Sequence, residues 1–409
     1  MNAPSPQAAE LLATFQQAVA HQQAGQLPEA EKLFRRILQA RPDHPDTNNA
    51  LAIVLKDQGK TAEATAAFQR VVDIAPNAPA AHNNLGTILF AQEKLTEAEA
   101  SYRRALALDP NNADALKNLG LVLVDRGRST ESLPYFRRHA ELVYGKSAPA
   151  FAPGRPPTPQ HKIQHDQEQR DYLGKASGPA HLFNLDAGSR IPGRAVSPDI
   201  SGEVAARWEN SSPQCVVIDN LLTEEGLAAL RRFCWRSTIW NNAHSNGYLR
   251  SMPEHGFACP LLAQIDEELR ATFPTILADH PLLRWWAFKY DGRLKGTNVH
   301  ADFAAVNINF WIAPDDANLD PESGGLIVWD KAAPLDWGFA QYNGAGQTVR
   351  DWLKDVGAKS IAVPHRANRA VVFDSDLFHE TDKINFKDGY MNRRINITML
   401  YGRREKAAG

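Results

Sequence analysis

The chain has 409 residues, 43% hydrophobic and 22% charged, with 45 Lys and Arg against 47 Asp and Glu. That length holds two or three domains, and the composition is that of a globular rather than a disordered chain. A net charge of −2 supplies no bulk field toward nucleic acid or an anionic membrane, so neither is expected as a partner.

The N-terminal third carries an internal period. Pro42, Pro76 and Pro110 lie 34 residues apart, as do Phe34, Phe68 and Tyr102, and Ala30, Ala64 and Ala98. Leu51-Ala52, Leu85-Gly86 and Leu119-Gly120 keep the same register, and Ser132 and Phe136 continue it into a fourth unit. Gly25, Gly59 and Gly127 fall where a helix would turn back. Small residues let two helices approach closely, an aromatic fills the gap to the next unit, and proline closes the second helix. The pattern resembles the tetratricopeptide repeat (TPR), a helix–turn–helix of 34 residues, over about residues 8–145. Such arrays stack into concave surfaces suited to extended peptides. Asn84 and Asn118, 34 residues apart on first helices, are candidates for an asparagine ladder to a peptide backbone, a protein or peptide being the expected partner. Ala50 interrupts that ladder one repeat earlier; generic surface use or self-association is the competing reading.

Residues 147–159 are too rich in proline for helix or central strand, and 146–199 read as a linker and connecting segment. A short polar helix is expected at about 160–173; His161 and His165 have metal-compatible spacing there but no third ligand, so a solvated face is expected.

From about residue 200 the texture turns to short β-branched and aromatic runs between turn residues. Strands are expected at 215–219, 283–290, 304–312, 326–329, 360–363, 370–374 and 395–401, with helices at 224–236 and 261–273. Gly324-Gly325, Ala367-Asn368 and Asp388-Gly389 mark turns. Many strands behind one or two covering helices suggest a jelly-roll-like barrel over about 200–405, giving an α+β chain of two domains. Cys215, Cys234 and Cys259 are odd in number and lack a Cys-x-x-Cys pair, which disfavours a thiolate zinc site or disulfides. No signal peptide or membrane-spanning run is legible, and a cytoplasmic location is expected.

The chemistry-bearing residues gather near the C-terminus. His300-Ala-Asp302 alone is a weak signal, since His44-Pro-Asp46 repeats it inside a TPR turn. The second instance is followed by the strand 370–374, then His379, then Arg394-Ile-Asn396-Ile-Thr398. Two histidines and a carboxylate converging on one face form the facial triad of non-haem iron(II) oxygenases, which leaves open positions for other ligands. The order resembles the 2-oxoglutarate/iron(II)-dependent dioxygenases, in their prolyl-hydroxylase-like branch, over residues 213–402 and most strongly over 285–402. The resemblance implies a double-stranded β-helix with iron(II) on His300, Asp302 and His379, and 2-oxoglutarate and dioxygen as cosubstrates. It further implies hydroxylation with release of succinate and carbon dioxide, with ascorbate as a candidate auxiliary reductant. Asp302 argues against the halogenating variant, whose small residue frees a site for halide.

On the strand after 394, Arg394, Asn396 and Thr398 alternate with Ile395, Ile397 and Met399, so the polar set should face the barrel interior. Arg394 is expected to fork onto the remote carboxylate of 2-oxoglutarate, in preference to Arg393 on the other face. Tyr290 matches a pocket tyrosine of the prolyl-hydroxylase branch, and Asn307, Asn309, Trp311 and Trp329 are pocket or core candidates. His365, before its strand, is a weaker ligand candidate than His379. The expected substrate is a protein or peptide side chain recruited by the repeats. A small metabolite, or a scaffold with an inactive barrel, are the alternatives.

Overall fold

A computed structural model describes residues 6–145, 158–174, 183–244, 247–294, 298–344 and 346–404, and the chain divides into two compact units, Met1–Arg126 and Gly127–Gly409.

The first unit is helical: α1 (Pro6–Gln23), α2 (Leu27–Ala40), α3 (Pro45–Asp57), α4 (Thr61–Ile74), α5 (Pro79–Ala91), α6 (Leu95–Leu108) and α7 (Ala113–Asp125). Each of α2, α4 and α6 stops two residues short of one of the periodic prolines. Ala30, Ala64 and Ala98 are wholly buried, and Phe34, Phe68 and Tyr102 almost so. The reason for Gly86 is direct: a Cβ there would meet the Tyr102 ring at 2.7 Å. Burial pushes the Tyr102 phenol up to about 12. Gly25 and Gly59 turn the chain with φ of +73° and +75°. At the matching position of the third repeat the same left-handed conformation falls on Glu93, φ +60°, which a side chain adopts at a cost. His44, of the first His-x-Asp pattern, caps α3 by accepting the Thr47 N–H.

The asparagine ladder differs from expectation. The Asn84 amide donates to Asn49 Oδ1 at 2.8 Å, and Asn118 donates to Asn83 Oδ1 at 3.1 Å. These amides therefore join successive first helices to one another, and one donor of each is already spent within the array.

The second unit begins with α8 (Ser129–Tyr144), which carries the periodic Ser132 and Phe136. Its Phe136 meets Trp285 edge-on at 6.2 Å, and Ser129 donates to Asp266 at 2.9 Å. The remaining helices are α9 (Gln160–Tyr172), α10 (Ser201–Asn210), α11 (Glu224–Arg236), α12 (Pro260–Thr272), α13 (Pro274–Leu277) and α14 (Gly346–Asp355). The strands are β1 (Cys215–Ile218), β2 (Asn242–His244), β3 (Tyr248–Ser251), β4 (Leu282–Tyr290), β5 (Arg293–Leu294) and β6 (Val306–Trp311). They continue with β7 (Leu326–Ala332), β8 (Ser360–Val363), β9 (Ala370–Asp374), β10 (Leu377–Thr381), β11 (Ile384–Asn385) and β12 (Ile395–Tyr401). All named pairings are antiparallel, in a seven-stranded sheet β1-β9-β6-β12-β4-β3-β2, a three-stranded sheet β10-β7-β8 and the pair β11-β5.

Trp311, Val371 and Phe373 of the large sheet share one buried cluster with Leu326, Val328, Val363 and Leu377 of the small one. The two sheets thus enclose a common core. On the opposite face of the large sheet, Trp285 and Met399 line a small apolar cavity with Leu133 of α8 and Leu262 of α12.

The expected solvated face of α9 is a correction. His165 is fully buried, its ring 5.4 Å from Tyr390 and 6.5 Å from Trp240, and its Nε2 has no hydrogen-bond partner. Gln169, one turn on, donates to the Tyr390 hydroxyl and the Ser237 carbonyl. The low apolar content of α9 concealed this, because its buried stripe is made of polar side chains satisfied or enclosed by aromatics. Beside it lies Lys289 of β4, fully buried, with Nζ 3.3 Å from the Tyr390 ring centroid and no hydrogen bond. Burial holds this amine well below the usual lysine range. Cys234 and Cys259 are buried free thiols, and burial pushes Cys259 up to about 12.

Candidate metal centre

His300 and His379 are held opposite each other by the backbone. The His300 N–H donates to the His379 carbonyl at 3.0 Å, and the His379 N–H donates back at 2.8 Å. Asp302 is tied by its own N–H to the Ser375 carbonyl at 3.1 Å. The two rings have centroids 4.5 Å apart, and His379 Nε2 lies 3.4 Å from Asp302 Oδ2. One donor atom from each of the three residues falls within 4.8 Å of the others.

The tautomers suit a ligand set. His300 Nδ1 is 2.7 Å from the Asn298 carbonyl, and His379 Nδ1 is 3.0 Å from the Leu377 carbonyl. A carbonyl oxygen only accepts, so each Nδ1 carries a hydrogen, which leaves Nε2 as the nitrogen of each ring that could meet a metal. That is the arrangement by which an outer hydrogen bond orients a metal-binding imidazole. Asn307 donates to Asp302 Oδ2 at 2.8 Å and fixes the carboxylate. Burial alone would raise Asp302, but His379, His300 and Asn307 together hold it below the usual carboxylate value. Burial, and then His379, lower His300. The donor set fits a divalent ion: two imidazoles and one carboxylate whose ligand atoms lie within 4.8 Å of one another.

Arg394 is fully buried at the start of β12. Its Nε donates to the Gly324 carbonyl at 2.6 Å and Nη2 to Gly325 at 3.1 Å. Gly325 also lies against the neighbouring backbone, where a Cβ would fall 1.8 Å from the Val363 carbonyl. The guanidinium carbon sits 4.8 Å from the Tyr290 ring and 5.6 Å from Trp311. Nη1 has no partner, and burial lowers the group to about 10 despite the fields of Tyr290 and Asp382. Arg393 contrasts with it: on the other face, it pairs at 2.9 Å with both Glu168 and Asp291.

Asn396 and Asn309 both donate to Thr398 Oγ1 at 3.2 Å, so these three share the inner face. The Oδ1 atoms of Asn307, Asn309 and Asn396 and the Trp311 indole nitrogen have no partner, although all four residues are buried. Tyr290 reaches Thr381 Oγ1 at 3.3 Å, two residues beyond His379 on β10. His365 packs on Trp311 and Phe386, apart from the three-residue group, and burial with Arg394 lowers it to about 3. Trp329 packs instead with Trp337, Trp352 and Phe378 in a separate cluster. Sequence reasoning missed the Arg394 cradle, whose one visible signal was the Gly324-Gly325 doublet, and the Asn298 carbonyl, which left no signal.

Tetratricopeptide-repeat family models match residues 21–87 and 83–149. Among solved structures, a MamA structure is 22% identical, with 32% of this chain and 75% of that one covered and a TM-score of 0.30. MamA from Desulfovibrio magneticus RS-1 is also 22% identical, covering 34% and 78% at a TM-score of 0.32. The first TPR of Spaghetti (RPAP3), solved with the HSP90 peptide SRMEEVD, is 26% identical, covering 27% and 89% at a TM-score of 0.27. No curated protein matches the chain. Among the described residues no helix is long and apolar enough to cross a membrane. The N-terminal region is a tetratricopeptide-repeat array, and an antiparallel β-sheet region carrying the candidate centre follows it.

Proposed function

We propose that the second unit is an iron(II)- and 2-oxoglutarate-dependent oxygenase of double-stranded β-helix type, hydroxylating a protein or peptide side chain recruited by the repeats. The observation that carries this is the meeting of two imidazoles and a carboxylate within 4.8 Å of one another, in a unit that also buries the Arg394 guanidinium with no carboxylate among the described residues on it. Such a cation is costly unless an anion meets it.

His300, Asp302 and His379 would hold the ferrous ion, whose chemistry, with 2-oxoglutarate, is activation of dioxygen. Arg394 Nη1 would take the cosubstrate's remote carboxylate, a charge-assisted bond of roughly 1.5–3 kcal/mol. Tyr290 and Trp311 flank the guanidinium and keep water from it. Asn307 holds the Asp302 carboxylate in one orientation, and Asn309 and Asn396 orient Thr398.

The repeat-family matches favour a second reading, a TPR protein-interaction scaffold whose β-sheet unit is inactive. Succinate formation separates the two. The purified full chain, given iron(II) and 2-oxoglutarate, should form succinate slowly without substrate, and His379→Ala should abolish it. A chain that binds neither the ion nor 2-oxoglutarate is the scaffold.

A further inference from the structure

We propose that Asn343 is a positioning residue of the metal centre, acting through the segment between β7 and β8; this rests on the metal-binding reading above. Ala301 stands between two of the ligands and is fully buried. Its N–H donates to the Tyr342 carbonyl at 2.9 Å, and its carbonyl accepts from Asn343 Nδ2 at 2.9 Å. Both backbone groups of that residue are therefore held by two consecutive residues of a distant segment. Ala301 lies outside any named strand, so this pair of bonds takes the place of a sheet ladder. A small rotation of its peptide planes would carry His300 and Asp302 with it.

The bracing segment is itself fixed. Ala340–Gly344 forms a π-helical turn, a rare geometry recurrent at functional sites. The Arg404 guanidinium stacks on Tyr342 at 4.4 Å and donates to the Ala333 and Pro334 carbonyls at 2.6 and 3.0 Å, pinning the segment's start. Farther along, Arg350 of α14 is ion-paired with Glu380, the neighbour of His379. Val299, Ala301 and Phe378 are buried with Tyr342, Val349 and Leu353 in one apolar cluster. One insert thus braces both ligand-bearing arms, and Asn343 supplies the polar contact nearest the His-x-Asp pair.

Asn343→Asp is close to isosteric and sets an acceptor against the Ala301 carbonyl, removing the bond with little change of volume. Cobalt(II) is a suitable probe, since its d–d bands report ligand geometry. Outer partners of metal ligands are worth about tenfold or more in affinity, so Asn343→Asp should weaken cobalt(II) binding about tenfold and shift those bands. The melting temperature of the metal-free chain should stay near that of the parent. Should Asn343→Asp not fold, Asn343→Ala gives the same readout. Unchanged affinity and bands overturn the assignment, as does a loss matched by a collapse of metal-free stability. A parent chain that takes up no cobalt(II) overturns the metal-binding reading itself, and this assignment with it.

Discussion

The two units solve the problem of burying a chain in opposite ways. In the repeat array burial recurs at a fixed interval: Ala64 is buried as Ala30 and Ala98 are, and Phe68 as Phe34 and Tyr102 are. In the sheet unit, contacts are singular. Arg394 reaches Gly324 and Gly325 across about seventy residues, and His300 bonds to His379 across about eighty. Periodic order shows in the sequence as a spacing, whereas long-range order shows only through the chemistry it assembles.

That contrast can be broken by substitution, starting where the repeat is most regular. Phe68→Ala should cost about 3–5 kcal/mol, and Leu in its place far less, because the gap between repeats asks for volume and not for a particular partner. Urea unfolding of the array gives the comparison, and a loss under 1 kcal/mol would mean that the gap collapses. Lys289→Met tests the singular unit. Removing an unbonded buried amine should stabilise the chain at pH 7 by roughly 1–4 kcal/mol. The gain should shrink as pH rises toward 10.5, where an unfolded lysine is neutral as well. A destabilised variant would show that the Tyr390 stack outweighs desolvation.

His365 gives the pH arm. Its value falls from an ordinary 6.5 to about 3 on folding, so the unfolded chain takes up the proton first. The contribution of this residue is full above pH 6.5 and lost progressively as pH falls toward 3, amounting to about 2 kcal/mol at pH 5. His365→Phe should flatten that part of the acid slope in calorimetry; an unchanged slope refutes the effect. The smallest change returns to the array. Glu93→Gly relieves a left-handed side chain where Gly25 and Gly59 set the rule, and should raise stability by about 1 kcal/mol. If Glu93→Gly lowers stability, the contacts of that glutamate exceed its strain.

Most of the first unit was legible because its grammar is local: a proline, an aromatic and a small residue, each at its station. The asparagines misled, since Asn49 and Asn83 stand 35 residues, not 34, before Asn84 and Asn118, and take up their amides. In the sheet unit the strand carrying Arg394, Asn396 and Thr398 could be oriented by alternation alone. The strand Leu377–Thr381 could not be, because Leu-Phe-His-Glu-Thr passes from apolar to polar without alternating. Nor could α9, whose buried stripe consists of His165 and Gln169. Pattern reasoning equates polar with exposed, and it fails where polar groups are enclosed by aromatics or bonded inside.

The paired backbone hydrogen bonds between residues 300 and 379 carry one consequence for how the centre forms. Because main-chain groups set the spacing of the imidazoles, an ion bound as proposed above would find its ligands assembled and need not recruit them from disorder. Loading should then change the hydrogen exchange of these amides little, and the free energy of coordination goes to grip instead of to folding.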